Sequence, residues 1–339
     1  MQRKNGSRSE ELNFISSFLS SSESFHSFIR RNPIGGTYNE SNITIIYGNI
    51  TRLISDLELT RYSLLPNIKP IIIYHLDHLK SDLKKLIELK HSLHAGAVCS
   101  EKAKADILII TKDKPYYISF KDITKEAKLG QFSSHLQLGQ VKLEGGLKKF
   151  IEIPAAKIIH TNSNLTFEQF NKLNSGNKKW AVYKSLYDKD FQRLVDQMME
   201  NAYAQLYTFC HELTKDIDLL LEFLTRTLVG NSESVLDDFY LVMGDSFIHV
   251  KSVLNKIKKL NPEICTQEFI SRNSKKSMLL SIRIKDKKYW ITKIEPSFDG
   301  SRKNVSQTKG IIYYFQEFSD NVNQSYKSLL IDVSENKFG

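Results

Sequence analysis

The sequence predicts an α/β protein built on a central mixed β-sheet with flanking helices. Short runs rich in isoleucine, valine and tyrosine alternate with longer segments whose apolar residues recur at helical spacing. From about residue 236 the pattern changes to short alternating runs typical of strands. The predicted regions are an α/β core with N-terminal helices (1–160), a helical region (161–235) and a basic β-rich part (236–339), which can also be lobes of one body.

The helical period of about 3.6 residues and the strand period of two residues predict the individual elements. Apolar residues at helical spacing predict helices over residues 9–31, 76–94, 126–151 and 187–230, the last ended by Gly230. β-rich runs predict strands at 43–49 and 69–75, of which the second can also begin a helix, and a hairpin with a charged turn at Lys285–Lys288. The polar C-terminal tail, 320–339, is expected to fray.

Residues 104–121, KADILIITKDKPYYISFK, predict a β-hairpin that is covered on both faces. Both alternating sets of side chains in its two strands are largely apolar, as in the centre of a sheet that is packed on either side. KDKP (112–115) supplies a four-residue turn, with proline at its end.

That loop length sets the register of the hairpin. Thr111 pairs with Tyr116, and Asp106 then falls directly opposite Lys121. Ser119 lies two residues before Lys121 and therefore on the same face of the sheet. The sequence thus predicts that a carboxylate, a hydroxyl and an ammonium group meet at one end of a buried sheet.

Two interpretations of this polar end are open. The carboxylate of Asp106 and the ammonium of Lys121 can form a simple cross-strand ion pair. Alternatively, Asp106 binds Mg²⁺, the carbonyl oxygen of Phe120 supplies a second ligand, and water and a substrate phosphate fill the remaining positions. Lys121 would then orient the attacking water or lower its pKa. A partly buried ion pair is costly to desolvate, which favours the second interpretation.

The positive charge of the chain is concentrated in one stretch. The whole sequence has 48 Lys and Arg against 38 Asp and Glu, a formal charge of +10, and 15 of the basic but only 5 of the acidic residues lie between Lys251 and Lys309. Such a block is typical of a protein that binds a phosphate backbone, although a solvated basic face without a partner is the alternative.

A loop at 299–310, DGSRKNVSQTKG, is the predicted DNA-reading segment. Arginine, asparagine and glutamine can make paired hydrogen bonds to base edges, and lysine serves phosphates. The candidate DNA-binding residues are Arg302, Lys303, Asn304, Gln307 and Lys309. An ordinary solvent loop is the alternative.

The motif KAD, an apolar strand, a short turn and YYISFK resembles the active-site segment of the PD-(D/E)xK nuclease superfamily, particularly its type II restriction endonucleases. That family has an aspartate at the start of one strand and a Glu/Asp-x-Lys triplet at the end of the next. Asp106 matches the family aspartate and Lys121 the family lysine. Ser119 stands where the second acid usually lies, although serine, glutamine or asparagine occurs there in some members.

The resemblance implies a restriction-endonuclease-like core that hydrolyses DNA phosphodiesters with Mg²⁺. Asp106, Ser119, Lys121 and Gln131, the last on the following predicted helix, are the candidate catalytic residues. The candidate metal ligands are Asp106, Phe120 and Glu88, with Glu101 and Asp122 as further choices for the missing acid.

The function expected from this resemblance is a Mg²⁺-dependent type II restriction endonuclease that acts on double-stranded DNA as a homodimer. A cognate DNA methyltransferase is then its partner in the same cell. Two alternatives remain: a structure-specific or repair nuclease on the same fold, and a catalytically inactive DNA-binding module, which the serine at 119 supports.

Other classes of protein are disfavoured. No apolar run approaches the roughly 18 residues that a membrane span needs, and the polar N-terminus lacks a signal peptide, so a cytoplasmic location without membrane association is expected. The three cysteines lie far apart in the sequence, which disfavours a disulfide scaffold. His75/His78 and His91/His94 have a spacing that can bind metal, but they are interpreted as surface histidines on helices.

Overall fold

The computed structural model divides the chain into two compact units, each assembled from several segments. The first unit comprises Met1–Leu129, Leu224–Lys259 and Lys327–Gly339, and the second comprises Gly130–Phe223 and Leu260–Tyr326. The residues that the structure describes are 6–51, 53–54, 67–76, 79, 104–121, 196, 199–200, 202–230, 233–270, 276–299, 310–316 and 324–338.

A seven-stranded mixed sheet forms the framework of the first unit, and its strands are neighbours in the order in which they occur along the chain. The strands are β1 (Gly36–Glu40), β2 (Ile43–Tyr47), β3 (Ile72–His75), β4 (Ile107–Ile110), β5 (Pro115–Phe120), β6 (Phe239–Met243) and β7 (Ser246–His249). The pairs β2/β3 and β5/β6 are parallel and the other four are antiparallel. The predicted α/β class with a mixed sheet is confirmed, and the segment at 69–75 forms a strand rather than the start of a helix.

Helices accompany this sheet in the chain. They are α1 (Gly6–Ser16), α2 (Ser22–Arg31), α3 (Ile217–Leu228), α4 (Val250–Leu260) and α5 (Tyr326–Ser334), and residues 202–215 are also helical. The side chain of Ser21 caps α2 by accepting a hydrogen bond from the Ser24 N–H. Gly230, with φ +96°, follows the end of α3 as predicted, and its N–H donates to the carbonyl of Arg226 at 3.2 Å.

One face of the sheet packs against α1 and α2. This core consists of fully or nearly fully buried apolar side chains, including Leu12, Phe14, Ile15, Phe25, Ile29, Ile45, Ile73, Ile107, Ile109, Ile118 and Phe120. The rings of Phe14 and Phe120 meet edge to face at 5.4 Å. Burial of each large side chain contributes about 1.5–3 kcal/mol, so the central strands β4 and β5 are firmly held from this side.

The second unit contains its own sheet. Its strands are β8 (Glu263–Ile270), β9 (Lys276–Ile284), β10 (Lys287–Asp299), β11 (Gly310–Gln316) and β12 (Gln324–Ser325). The order is β11–β10–β9–β8, with β12 parallel to β10. The predicted hairpin between β9 and β10 is confirmed with a two-residue turn, in which Lys285 has φ +53°.

The expectation of a frayed C-terminal tail was wrong. Helix α5 begins at Tyr326 and buries Tyr326, Leu329, Leu330 and Val333. These positions follow helical spacing and form one apolar stripe, which the polar residues between them conceal in a residue-by-residue reading. All of the predicted helix at 126–151, and that at 76–94 apart from residues 76 and 79, lie outside the described residues.

Candidate active site

The β4–β5 hairpin has a register different from the predicted one. Ile110 pairs with Pro115 and Leu108 with Tyr117, so the connecting residues are 111–114. The predicted pairing of Thr111 with Tyr116 was therefore wrong by two residues, and so was the placement of Asp106 directly opposite Lys121.

The side chain of Thr111 explains why the four-residue turn begins one residue earlier than predicted. Its Oγ1 donates to the Lys114 carbonyl at 2.8 Å and accepts from the N–H groups of Asp113 and Lys114 at 3.2 and 3.1 Å. Pro115 then serves as the first residue of β5, a position that tolerates the missing N–H of proline. The threonine closes the turn one residue earlier than the sequence pattern indicates.

The polar end of the hairpin is nevertheless assembled. A shift of two residues equals one period of side-chain alternation, so the faces of the strands are unchanged. The Oδ2 atom of Asp106 accepts a hydrogen bond from Ser119 Oγ at 2.9 Å and another from the Phe120 N–H at 2.7 Å. The backbone N–H of Asp106 donates to the Ile118 carbonyl at 2.8 Å. The carboxylate is thus fixed against β5 through two charge-assisted bonds.

Ser119 is fully buried, whereas Asp106 and Lys121 are half-buried. A buried hydroxyl without a partner costs about 1–3 kcal/mol, and the bond to Asp106 satisfies it. Lys121 follows β5 directly, and its backbone N–H donates to the Val242 carbonyl of β6 at 2.9 Å. By alternation along the strand, the side chain of Lys121 belongs to the same face as Ser119.

The oxygen atoms at this end suit a hard divalent cation. The N–H of Phe120 points to Asp106, and in a strand the N–H and C=O of one residue point to the same side. The Phe120 carbonyl therefore faces the side on which the carboxylate lies. Mg²⁺ commonly binds one or two carboxylates and keeps water and substrate phosphate as its other ligands, so Asp106 and Phe120 fit the ion as a partial ligand set.

Among the described residues there is no group of three or more His, Cys, Asp or Glu side chains that could hold a metal ion. Glu88, the predicted additional ligand, lies outside the described residues, as do Glu101 and Asp122. Gln131, the predicted catalytic glutamine, is also outside them, together with all five candidate DNA-binding residues: Arg302, Lys303, Asn304, Gln307 and Lys309.

Lys104 is a site residue that the sequence analysis missed. Its backbone N–H donates to the Val229 carbonyl and its Nζ to the Thr227 carbonyl, both at 2.8 Å. Burial, with the positive charge of Lys121 as a second cause, lowers the pKa of Lys104 to about 7. The only signal in the sequence was a lysine two residues before the aspartate.

A buried acid–base pair lies on the strand next to this end. His75 is fully buried, and its Nε2 lies 2.6 Å from Oε2 of Glu11 in α1. His75 pairs with Ile107, and the N–H of Leu76 donates to the Asp106 carbonyl at 2.7 Å. The interpretation of His75 as a surface histidine on a helix was therefore wrong: it is a core residue of β3.

Comparisons with family models, with curated proteins and with solved structures found no match. Within the part of the chain that the structure describes, none of the helices is both long and apolar enough to cross a membrane.

Proposed function

We propose that this protein is a Mg²⁺-dependent endonuclease that cuts double-stranded DNA at a specific sequence, in the manner of a type II restriction enzyme. The observation that carries the proposal is the Asp106 carboxylate, held by Ser119 and by the Phe120 N–H at the end of a buried hairpin that continues into Lys121. The basic block between Lys251 and Lys309 supports a nucleic-acid substrate.

Each polar residue at the end of the hairpin has its own role in the proposed reaction. Asp106 and the Phe120 carbonyl would hold the cation through their oxygen atoms, and the bound cation would supply Lewis-acid stabilisation of charge on the phosphate. The ammonium of Lys121 donates hydrogen bonds to the attacking water or to a phosphate oxygen. Ser119 does not need to bind the cation, because its hydroxyl already orients Asp106.

The remaining parts of the proposal concern residues and partners beyond this end of the sheet. Glu88 stays the first candidate for a second acid, and Gln131 for a further catalytic group. The predicted loop with Arg302 and Asn304 stays the candidate reader of base edges. A homodimer matching the two-fold symmetry of a restriction site, a cognate methyltransferase and a cytoplasmic location complete the proposal.

Plasmid cleavage tests the proposal directly. A plasmid of known sequence is incubated with the protein in Mg²⁺ and in EDTA, with Lys121→Ala, and with Lys112→Ala as a matched control from the exposed turn of the same hairpin. Discrete, sequence-defined fragments are expected from the native protein and from Lys112→Ala, in Mg²⁺ only. Sequence-specific cutting that persists in EDTA or in Lys121→Ala would contradict the proposal, and nicking confined to branched DNA would indicate a structure-specific nuclease.

A second candidate function is a DNA-binding module without catalytic activity. The buried Ser119, at the position where the resembling family usually has an acid, favours it. Salt-sensitive, sequence-specific binding to duplex DNA without any cutting, in Mg²⁺ as in EDTA, would decide for this second function.

A further inference from the structure

Strand β8 (Glu263–Ile270) forms one edge of the sheet of the second unit. Among the strands that the structure describes it pairs only with β9, and no described residue outside β9 makes a backbone hydrogen bond to it. None of its eight residues is buried, and Ile270 is 59% exposed. Alternate residues of an edge strand direct their N–H and C=O groups away from the neighbouring strand. β8 therefore presents a row of backbone donors and acceptors at the outer side of the sheet.

This edge lacks the features that usually prevent strands from pairing with other chains. Edge strands are commonly short, interrupted by a bulge, or supplied with proline or lysine. β8 contains neither proline nor lysine, and its eight residues pair with β9 in an unbroken register, whereas the edge strands β1 and β7 of the first unit have only five and four residues. Its two glutamates already have partners, because Glu263 lies 3.3 Å from Arg283 and Glu268 hydrogen-bonds with the Tyr203 hydroxyl. The edge is therefore suited to accept a further strand.

The sequence of β8 is complementary to itself in one register. Two copies related by a two-fold axis run antiparallel, and one residue of the strand then lies opposite its own copy. Centred on Gln267, the register sets apolar side chains against apolar ones and no charge against a like charge. Its pairs are Ile264–Ile270, Cys265–Phe269, Thr266–Glu268 and Gln267 with itself.

The neighbouring two-fold registers are less favourable. A register centred on Glu268 sets two carboxylates directly opposite each other, which is destabilising. A register centred on Thr266 sets Ile264 opposite the charged Glu268. The apolar and charged positions of β8 thus favour Gln267 as the centre.

We propose that β8 is a dimerisation edge, which pairs antiparallel with β8 of a second copy of this chain, with Gln267 opposite Gln267. The two sheets then form one continuous sheet across the two-fold axis. The inference rests on the homodimer of the proposed function and gives that homodimer a surface, but it does not depend on catalysis. An extended segment of another protein could bind such an edge in the same way, and the self-complementary pairs favour the second copy.

The test is a charge exchange at the residue that would lie opposite itself. Sedimentation velocity of the full-length protein, without DNA and over a series of micromolar concentrations, measures the dimer. The variants are Gln267→Lys and Gln267→Glu, at an exposed position of β8, with Thr208→Lys and Thr208→Glu as controls at an exposed helical position of the same unit. Circular dichroism establishes that each variant is folded.

The native protein and both Thr208 variants are expected to be dimers. Gln267→Lys and Gln267→Glu should each weaken the dimer by about fivefold or more, because like charges then lie directly opposite each other. An equimolar mixture of these two variants should restore the native dimer, because a lysine then meets a glutamate. A residue that lies away from the two-fold axis would not give this restoration from exchange at a single position.

The outcomes separate the inference from the nuclease. A native protein that is monomeric over the whole series would overturn the inference, even if it cut DNA. A dimer that both Gln267 variants leave unchanged, or one that their mixture fails to restore, would overturn the proposed pairing of β8. Restoration by the mixture would uphold the inference, and if that dimer did not cut duplex DNA, only the proposed function would fall.

Discussion

The two ends of the β4–β5 hairpin shift the pKa of a nearby lysine in opposite directions. At the turn, Lys114 Nζ lies 2.6 Å from Asp238 and 4.7 Å from the centre of the Tyr116 ring. Burial alone would lower the pKa of Lys114, but its hydrogen bond with Asp238 and the electrostatic effects of Tyr240, Asp238 and Tyr116 raise it. At the opposite, open end of the hairpin, where Asp106 and Lys121 lie, burial and the charge of Lys121 lower the pKa of Lys104 to about 7.

This contrast lies in the described groups that act on each lysine. The turn end pairs its cation with a carboxylate and an aromatic face, both of which favour the charged lysine. The open end places Lys104 near Lys121, while Asp106 bonds to β5. Ion pairing of the first kind serves the fold, whereas a lysine whose pKa is strongly lowered, chiefly by burial, is typical of a functional site.

The largest difference between the two ends is expected on removing a carboxylate. Asp106→Asn keeps the shape of the side chain and an oxygen that accepts from the Phe120 N–H, but removes the charge. Plasmid cleavage in Mg²⁺ should fall by about 100-fold or more. Asp238→Asn at the turn end should leave cleavage at the native rate, and gel assays of both variants measure the difference.

Equal effects of these two substitutions would remove the distinction between the ends. If Asp106→Asn cut as fast as the native protein, the carboxylate would have no part in catalysis. Circular dichroism spectra that match the native one are required of both variants, so that a loss of cleavage is not a loss of folding.

Hydroxyl groups offer a second comparison. Ser119→Ala removes a fully buried donor to a carboxylate, and the free energy of unfolding should fall by about 1.5–3 kcal/mol. Thr111→Val removes neutral hydrogen bonds in the turn and should cost about 1 kcal/mol. Urea unfolding measures both, and a smaller loss for Ser119→Ala than for Thr111→Val would show that the bond to Asp106 contributes little.

His26, a buried histidine far from the hairpin in the sequence, shows how burial alone affects the pH dependence of stability. His26 in α2 is 3% exposed, and among the described residues neither of its ring nitrogens has a hydrogen-bond partner. Burial, and to a lesser degree Arg30, lowers the pKa of His26. The unfolded chain therefore binds this proton more readily, and the free energy of unfolding should decrease as the pH falls below about 6.5.

His26→Phe should make the stability less dependent on pH between about 5 and 7, a range set by the ordinary histidine pKa. Urea unfolding of the native and variant proteins over that range provides the measurement. An unchanged pH dependence would show that His26 is protonated equally in the folded and unfolded chains.

The smallest effect is expected at the turn lysine. Lys114→Met removes an ion pair whose lysine side chain is 39% exposed. Solvent screens such a pair, so the free energy of unfolding should fall by no more than about 1 kcal/mol, with cleavage unchanged. A larger loss of stability, or any loss of cleavage, would show that the turn end has a role beyond the fold.

The sequence predicted the hairpin better than its register. Strand β4 is buried at every position, and β5 at all but one, as two largely apolar alternating sets indicated. The register depended on whether Pro115 ends the turn or begins β5, and both positions suit proline. The hydrogen bonds of Thr111 decided between them, and no hydrophobic period reveals such bonds.

The position of Lys104 could not be predicted from the sequence, for a different reason. Its partners Thr227 and Val229 come from the end of a helix far downstream, so no local pattern connects them. The prediction that Ser119 and Asp106 lie together, in contrast, followed from side-chain alternation alone. It remained correct because the error in register was an even number of residues, which leaves the side chains on the same faces.

The separation of these partners along the chain has a consequence for the order of folding. The turn closes through bonds between residues 111 and 114, whereas the Lys104–Thr227 bond spans 123 residues. Short loops close quickly and long ones late, and during synthesis the hairpin leaves the ribosome well before α3 does. A nascent chain is therefore expected to hold Asp106 against β5 before Lys104 gains its bonds to the end of α3.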